Sequence, residues 1–519
     1  MYNTESYKEP FWAENSGFMT GRDPLGIQNS SITTYGRLLP GMTNLTLRLR
    51  YYGFYMWVIR EFYIKNEGRT DFTHREHYNF IRRGELILAY IMRKKAPGEK
   101  SIIGSNFSDD HKDDIQLNGY FNIHLGADKL KDTKKGSVYW DFRSGALGQY
   151  YVGSLAALKL ISTEGQFFQI EPRGNKLADA FSDSIKIKEQ KKFIDIIEDG
   201  RLHLNDIDEL EDFRIDKIEP NTTEWDNYID ILLGNDGEGI QDTMGETTYL
   251  RKETISLLLN YFNQDIVDYN DRSFILHQFE LNHNNYTKGA SLGWYYYYLN
   301  EAFHIAIEAI FWSILVQLDG KPKGLESFLN DFNSTVTTFA KEELSIAQDD
   351  KLIDVVFSLN SKTISKQLKS LQALYKKQDN SVSVMSSALE LIMLIYEGTH
   401  KNLENLQDFE NRYKIHDQKG KLSENIKVYI EDSLSFNFEE FVKETIKKTM
   451  NDHVSTAYRK MGNGESNLLK FIIEDGIISH IQTMEPRHTS PRLKTITNFL
   501  TDLSLIDNEN HLTSLGMEQ

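Results

Sequence analysis

Glu301, His304 and Glu308 stand at i, i+3 and i+7 in SLGWYYYYLNEAFHIAIEAIFWSILVQL (Ser291–Leu318), a stretch poor in other charged side chains. On a helix the three share one face. A Glu-x-x-His pair on a bundle helix is the ligand unit of di-iron and di-manganese carboxylate sites, where two such pairs and two further Glu converge on the metals. Glu280/His283 and Glu397/His400 repeat the spacing. One expectation is therefore a metal held by Glu301, His304 and Glu308. The other is a closed polar network, in which the two carboxylates and neighbouring Tyr hydroxyls satisfy His304 inside a bundle and no metal is needed.

Either chemistry needs a rigid helix to carry it. Ser291–Leu318 is apolar on nearly every side and would run on the order of 40 Å at ~1.5 Å per residue, which predicts the central helix of a helical bundle. Its most apolar part, Ala302–Leu318, is short for a bilayer span and carries His304 and Glu308, so a buried core helix is expected. Two earlier helices are predicted by periodicity, Asn44–Lys65 and His74–Lys95, the second ending on Arg93, Lys94 and Lys95 ahead of Ala-Pro-Gly. The preceding Gly21–Thr43 stretch is punctuated by Gly and Pro and reads as a long ordered loop. Such loops usually have a contact role, here assigned to Arg22 and Arg37.

Two further stretches follow one pattern. In YYVGSLAALKLISTEGQFFQIEPRGNKLADAF (Tyr150–Phe181) and RLKTITNFLTDLSLIDNENHLTSLGMEQ (Arg492–Gln519), a helix-period run ends in Leu-x-Leu-Ile. A turn, a short strand-like segment and a glycine, Gly174 or Gly516, follow. This layout resembles the helix, hairpin wing and closing turn of winged-helix domains. The resemblance implies modules that contact nucleic acid or protein, with a recognition helix presenting Arg, Lys, Asn or Gln to bases and phosphates. The first helix, Gly148–Leu158, carries almost no such residues, so protein contact or packing is expected there. The second is better supplied.

The charge is uneven. The chain carries −17 overall, yet residues 1–100 hold 15 Lys and Arg against 10 Asp and Glu, while Asp195–Glu246 holds 17 acidic residues against 3 basic. That acidic run is expected to be a solvated junction, or else a docking face for a basic partner. Residues 441–500 carry 9 basic and 6 acidic residues. Arg459, Lys460, Arg487, Arg492 and Lys494 there, and Arg48 and Arg50 interleaved with Tyr51, Tyr52 and Tyr55, are the candidate nucleic-acid contacts, since phosphate neutralisation and base stacking use these residue types.

Exclusions narrow the remaining chemistry. Cysteine is absent, which removes disulfides, thiolate zinc, iron–sulfur clusters and cysteine nucleophiles. No GxxxxGK[ST], HExxH or GxSxG occurs, so P-loop hydrolysis, zincin proteolysis and α/β-hydrolase chemistry have no support. Arg-x4-His pairs (Arg69/His74, Arg272/His277) are the only trace of a metal-independent nuclease. The opening MYNTESYKEPFWAEN lacks a basic-then-apolar leader, and a cytoplasmic location is expected.

The sequence thus predicts a mainly α, multidomain protein, a helical bundle with two winged-helix-like modules carrying small β-hairpins. The expected blocks are 1–100 (helical), 101–194 (winged-helix-like), 195–290 (acidic junction), 291–440 (bundle) and 441–519 (winged-helix-like). The expected role is a non-catalytic scaffold or nucleic-acid-associating subunit of a bacterial-type multiprotein assembly for DNA maintenance or anti-phage defence. It would have protein partners, possible DNA contact, no membrane and no cofactor. The alternative is an enzyme, either a metal-carboxylate bundle protein or an Arg/His nuclease.

Overall fold

A computed structural model describes residues 23–164, 167–235, 247–264, 269–282, 288–347, 349–359, 362–377, 380–415, 420–462 and 468–518. Helix dominates, as the periodicity predicts. The chain forms two compact units, and both are discontinuous in sequence. One takes in the described residues of Met1–Tyr35, Ile275–Lys288 and Leu292–Thr489; the other, those of Gly36–Phe274, Gly289–Ser291 and Ser490–Gln519. The expected blocks are cut accordingly: residues 441–519 divide at Thr489, and most of the acidic stretch lies within the second unit.

In the first unit the long apolar run is helical, as part of a helix spanning Gly289–Leu318. The same unit holds the helices Leu325–Leu344, Ile364–Lys376, Ser381–Thr399 and Phe438–Gly462; Ser381–Thr399 packs against Ile364–Lys376 and Leu325–Leu344, and Leu325–Leu344 also against Phe438–Gly462. A three-stranded antiparallel sheet orders its strands Lys323–Gly324, Ile477–His480 and Phe471–Glu474. Two helices are long and apolar enough to cross a membrane, Gly289–Leu318 and Ser381–Arg412, but 94% and 83% of their apolar windows are buried inside the protein. They behave as core helices. The expected Gly21–Thr43 loop instead contains a helix, Asn29–Leu38, preceded by a turn that Asp23 holds, its carboxylate accepting from the Leu25, Gly26 and Gln28 amides.

The second unit is built on two helices. His74–Lys95 starts at a capping box, Thr73 with Glu76, and closes on three basic residues, so both ends satisfy the helix's unpaired amides and dipole. Arg50–Lys65 is buried on most sides and packs against Pro172–Asp183. It begins six residues later than periodicity predicts. The Asp502 carboxylate accepts from the Leu49 amide at 2.9 Å and Arg48 pairs with the same carboxylate, which fixes the start of the helix from the far end of the chain. Strand pairs Tyr120–Asn122 with Arg201–His203, and Ile161–Ser162 with Gln169–Ile170, complete the unit.

The acidic stretch, described as far as residue 235, is built into this unit with many of its carboxylates at the surface, and does not form a separate junction; residues 236–246 lie outside the described residues. Leu202, Ile207, Leu210 and Phe213 are buried between the acids, and Glu224 is buried with them. The helix Thr223–Leu233 starts at the Thr222 hydroxyl and ends at Gly234.

The two Leu-x-Leu-Ile segments have the same backbone geometry. In the first, Leu160 N–H reaches Leu155 C=O at 2.9 Å around Lys159 at φ 55°; in the second, Leu505 N–H reaches Leu500 C=O at 2.9 Å around Ser504 at φ 57°. Each is a Schellman-type helix end built on a non-glycine residue. Ile161 then pairs with Ile170, and Ile506 with Leu512. The returning chain donates from Glu171 to Leu160 C=O and from Thr513 to Leu505 C=O, both at 3.0 Å. A closing helix follows, and its glycine lies against the same carbonyl: a Cβ at Gly174 would meet Leu160 O at 2.1 Å, and one at Gly516 would meet Leu505 O at 2.2 Å. Only glycine permits that approach.

Candidate functional site

The Glu301/His304/Glu308 face is assembled as the spacing predicts, and all three side chains are buried. His304 stands between the two carboxylates, with Nδ1 3.4 Å from Glu301 and Nε2 2.9 Å from Glu308. Neither ring nitrogen makes a well-aligned hydrogen bond, so the attraction is chiefly electrostatic. The carboxylate oxygens are occupied elsewhere in the same unit. Glu308 accepts from Gln28 Nε2 at 2.9 Å and from the Arg487 amide at 2.8 Å. Glu301 accepts from the Thr489 amide at 3.0 Å and the Thr489 hydroxyl at 2.8 Å, and stands 3.1 Å from His488 Nδ1.

Burial alone would push the Glu301 carboxyl up, but His304 and His488 outweigh it and hold it well below its ordinary value. Burial likewise disfavours the His304 cation, yet Glu308 and Glu301 hold it well above the usual imidazole value. The result is an imidazolium between two carboxylates. A ligating imidazole must instead offer a lone pair to the ion. Among the described residues no group of three or more His, Asp or Glu side chains is arranged to hold a metal, which corrects the metal expectation for Glu301, His304 and Glu308. The other Glu-x-x-His pairs do not add ligands. His283 lies outside the described residues, and His400 Nδ1 bonds the Glu397 carbonyl. Glu280 and Glu397 do come together, in a pocket of about 280 Å³ shared with Lys362 and Lys366.

Most of the candidate nucleic-acid contacts are internal. Arg50 is buried, forms a forked pair with Glu224 at 2.9 and 3.0 Å, and donates to the Asp212 and Arg214 carbonyls. Arg48 pairs with Asp502 at 2.7 Å and closely with Glu99. Burial pushes the Asp502 carboxyl up to about 6 against the pull of Arg48. Lys460 is buried and donates to the Asp23 carbonyl at 2.6 Å. These three cannot also neutralise phosphates, and the expectation for Arg48, Arg50 and Lys460 is corrected on that ground. Arg459, Arg37 and Arg492 are half-buried, Arg37 as the last-turn cation of its helix; Arg487 and Lys494 are exposed. Arg22 lies outside the described residues. Of the first Arg-x4-His pair, Arg69 is held by Asp71 and Glu76, and His74 stacks on Phe167 at 4.4 Å.

Sequence reading missed one surface. On the His74–Lys95 helix, buried Arg82 donates to the carbonyls of Ala127, Trp140 and Phe142 at 2.5, 2.9 and 2.6 Å. One turn on, buried Glu85 accepts from the Ala146 and Leu147 amides at 3.1 and 2.9 Å and from Tyr55 and Tyr139. Together they pin both ends of the connection between Ala127 and Ala146 to one helix. What it displays is basic and aromatic. Lys131, Lys134, Lys135 and Arg143 are exposed, and Phe142 is 45% exposed. Of the three acids, Asp128 is paired with Arg83 and Asp141 with Lys129, which leaves Asp132. Trp140 lies edge-on to Tyr150, and Arg143 sits 5.4 Å over the Tyr78 ring, itself against Phe168. The signal was present as DKLKDTKKGSVYWDFR, a basic run passing into aromatics.

Beside it, His77 is buried among Phe62, Tyr63, Phe167 and Phe168 with no hydrogen bond at either ring nitrogen. Burial lowers its pKa to about 4, with His74 adding to the effect. The unfolded chain, with an ordinary value near 6.5, then binds more protons between about pH 6.5 and 4, so stability is lost as pH falls through that window, by up to ~3 kcal/mol at ~1.36 kcal/mol per unit. His77→Phe should remove most of this loss while leaving neutral-pH stability within ~1 kcal/mol. Urea midpoints measured from pH 7 to 4.5 decide it: an unchanged slope in the variant would mean that His77 is not held neutral.

No protein-family model matches the chain, and comparison with curated proteins and with solved structures returned no match.

Proposed function

We propose that this chain is a non-catalytic, nucleic-acid-associating scaffold, a subunit of a multiprotein assembly working in the cytoplasm on DNA maintenance or anti-phage defence. The observation that carries the reading is the repeated helix, turn, β-pair and closing helix around Leu160 and Leu505. Its order supports two winged-helix-like modules. Their helices are turned to packing. In Leu493–Asp502 only Lys494 is exposed, with Leu493, Ile496, Phe499 and Leu500 inside, and Val152–Ala157 carries no base-reading side chain. Contact with nucleic acid is therefore assigned to surfaces other than these helices. The buried ion triad at His304 favours structure over catalysis.

The test is binding of labelled single-stranded and duplex DNA to the full chain by fluorescence anisotropy over a salt series. Affinity is expected to fall steeply with salt, with a log–log slope of about −0.7 to −0.9 per phosphate neutralised. No binding of either DNA at low salt would end the nucleic-acid reading and leave protein scaffolding alone.

A further inference from the structure

We propose that the pinned connection between Ala127 and Ala146 is a binding site for single-stranded nucleic acid, contacted through the cations Lys131, Lys134, Lys135 and Arg143 and the rings of Trp140 and Phe142. This deepens the nucleic-acid reading and rests on it. Three features carry it. The four cations are exposed and none has an ion pair among the described residues. They face one remaining acid, Asp132, in a chain that is otherwise strongly acidic, so the stretch is a local positive island suited to a polyanion. Phe142, 45% exposed, is a large ring that the fold leaves in water directly beside Arg143.

The backbone holds the Phe142 ring out and leaves Trp140 half-buried beside it. Arg82 holds the Trp140 and Phe142 carbonyls inward at 2.9 and 2.6 Å, and Trp140 Nε1 is held by Gln149 at 2.8 Å. The display is thus pre-ordered, and binding spends little on arranging it. Cations tracking phosphates and rings stacking on bases are the two components of single-strand recognition. Paired bases present no free face for the second. An acidic peptide would use the cations and leave the rings idle.

Anisotropy titration of a labelled oligo-dT of about 20 nucleotides, long enough to span such a site, separates these cases when run against the matched duplex and a polyglutamate peptide. Replacing Lys131, Lys134, Lys135 and Arg143 together with Ala should weaken oligo-dT binding at least about tenfold and flatten the salt slope by up to ~3. Phe142→Ala should weaken it about fivefold or more with the slope unchanged. Both variants should melt like the parent, because the replaced groups are at the surface. If the parent binds and both variants bind equally well, the site is elsewhere and the scaffold reading survives. If the parent binds no nucleic acid, both readings fail together. Duplex bound as tightly as oligo-dT with Phe142→Ala silent, or preference for polyglutamate, overturns single-strand recognition.

Discussion

His304→Ala is expected to lower the stability of the unit that contains it by about 3–5 kcal/mol, the usual cost of leaving a buried charge uncompensated. The ring supplies the positive charge between Glu301 and Glu308, both buried. Without it, Glu301 keeps Thr489 and His488, and Glu308 keeps Gln28 and the Arg487 amide, but two carboxylates are left inside without the charge that stood between them. The sign of the pH response follows from the two shifts. The raised His304 contributes stability that is present below its unfolded value and lost as pH rises through its folded one. The lowered Glu301 contributes stability present above its unfolded value and lost as pH falls through its folded one. Across neutral pH both contributions are in place. Thermal melts of the parent, His304→Ala, Glu308→Gln and the double variant test the coupling, and the double variant should be destabilised by less than the sum. EDTA should leave the parent melt unmoved. A melt that drops on chelation, with His304→Ala already at the lowered value, would restore the metal-ligand assignment.

Arg82→Ala is expected to cost a similar amount, about 3–5 kcal/mol, and to act on one place. Arg82 is fully buried, and its guanidinium donates to three carbonyls from two ends of one connection, of which Phe142 also accepts from the Gly145 amide at 3.1 Å. Removing it takes the guanidinium partner from the Ala127 and Trp140 carbonyls and leaves Phe142 with the Gly145 amide alone, and a buried acceptor left unmet costs about 1–3 kcal/mol before relaxation. The backbone between Ala127 and Ala146 should then open to water. Hydrogen exchange there should rise by orders of magnitude while amides of Arg50–Lys65 change much less. Arg82→Lys keeps the charge but not the planar fork, and should recover only part of the loss. Equal protection of the connection in parent and Arg82→Ala would show that Glu85 and Tyr139 hold it unaided.

What could be read beforehand was local. The His74–Lys95 helix is correct at both ends because its signals, the periodicity, the three terminal cations and the Ala-Pro-Gly that follows, are local to it. The Glu301/His304/Glu308 face follows from helical spacing alone. What the triad does depends on Gln28, Arg487, His488 and Thr489, which no periodicity connects to it. Arg48 and Arg50 failed for the same reason: a basic residue among tyrosines reads as a stacking surface until Asp502 and Glu224 appear beside it. Charge density misled in the acidic stretch. Averaging over a window hid Leu202, Ile207, Leu210 and Phe213, which are spaced widely enough to be buried while Asp208 and Glu209 between them stay exposed. The winged-helix pattern located two segments of matching geometry but not their orientation, which tertiary packing sets.

The second unit also imposes a schedule on synthesis. Its last part, Ser490–Gln519, supplies the carboxylate that caps Arg50–Lys65 and the Leu503 carbonyl that accepts from Trp225 Nε1. All of Leu292–Thr489 is made between Phe274 and that segment. At ~5–20 residues per second a ribosome needs roughly 10–40 s for that interval. Throughout it, Arg48 lacks the Asp502 carboxylate, and the surface that receives Leu493, Ile496 and Phe499 stays open. The nascent chain is therefore sticky late in translation, and its yield should depend on holdase chaperones more than the packing of the finished fold suggests.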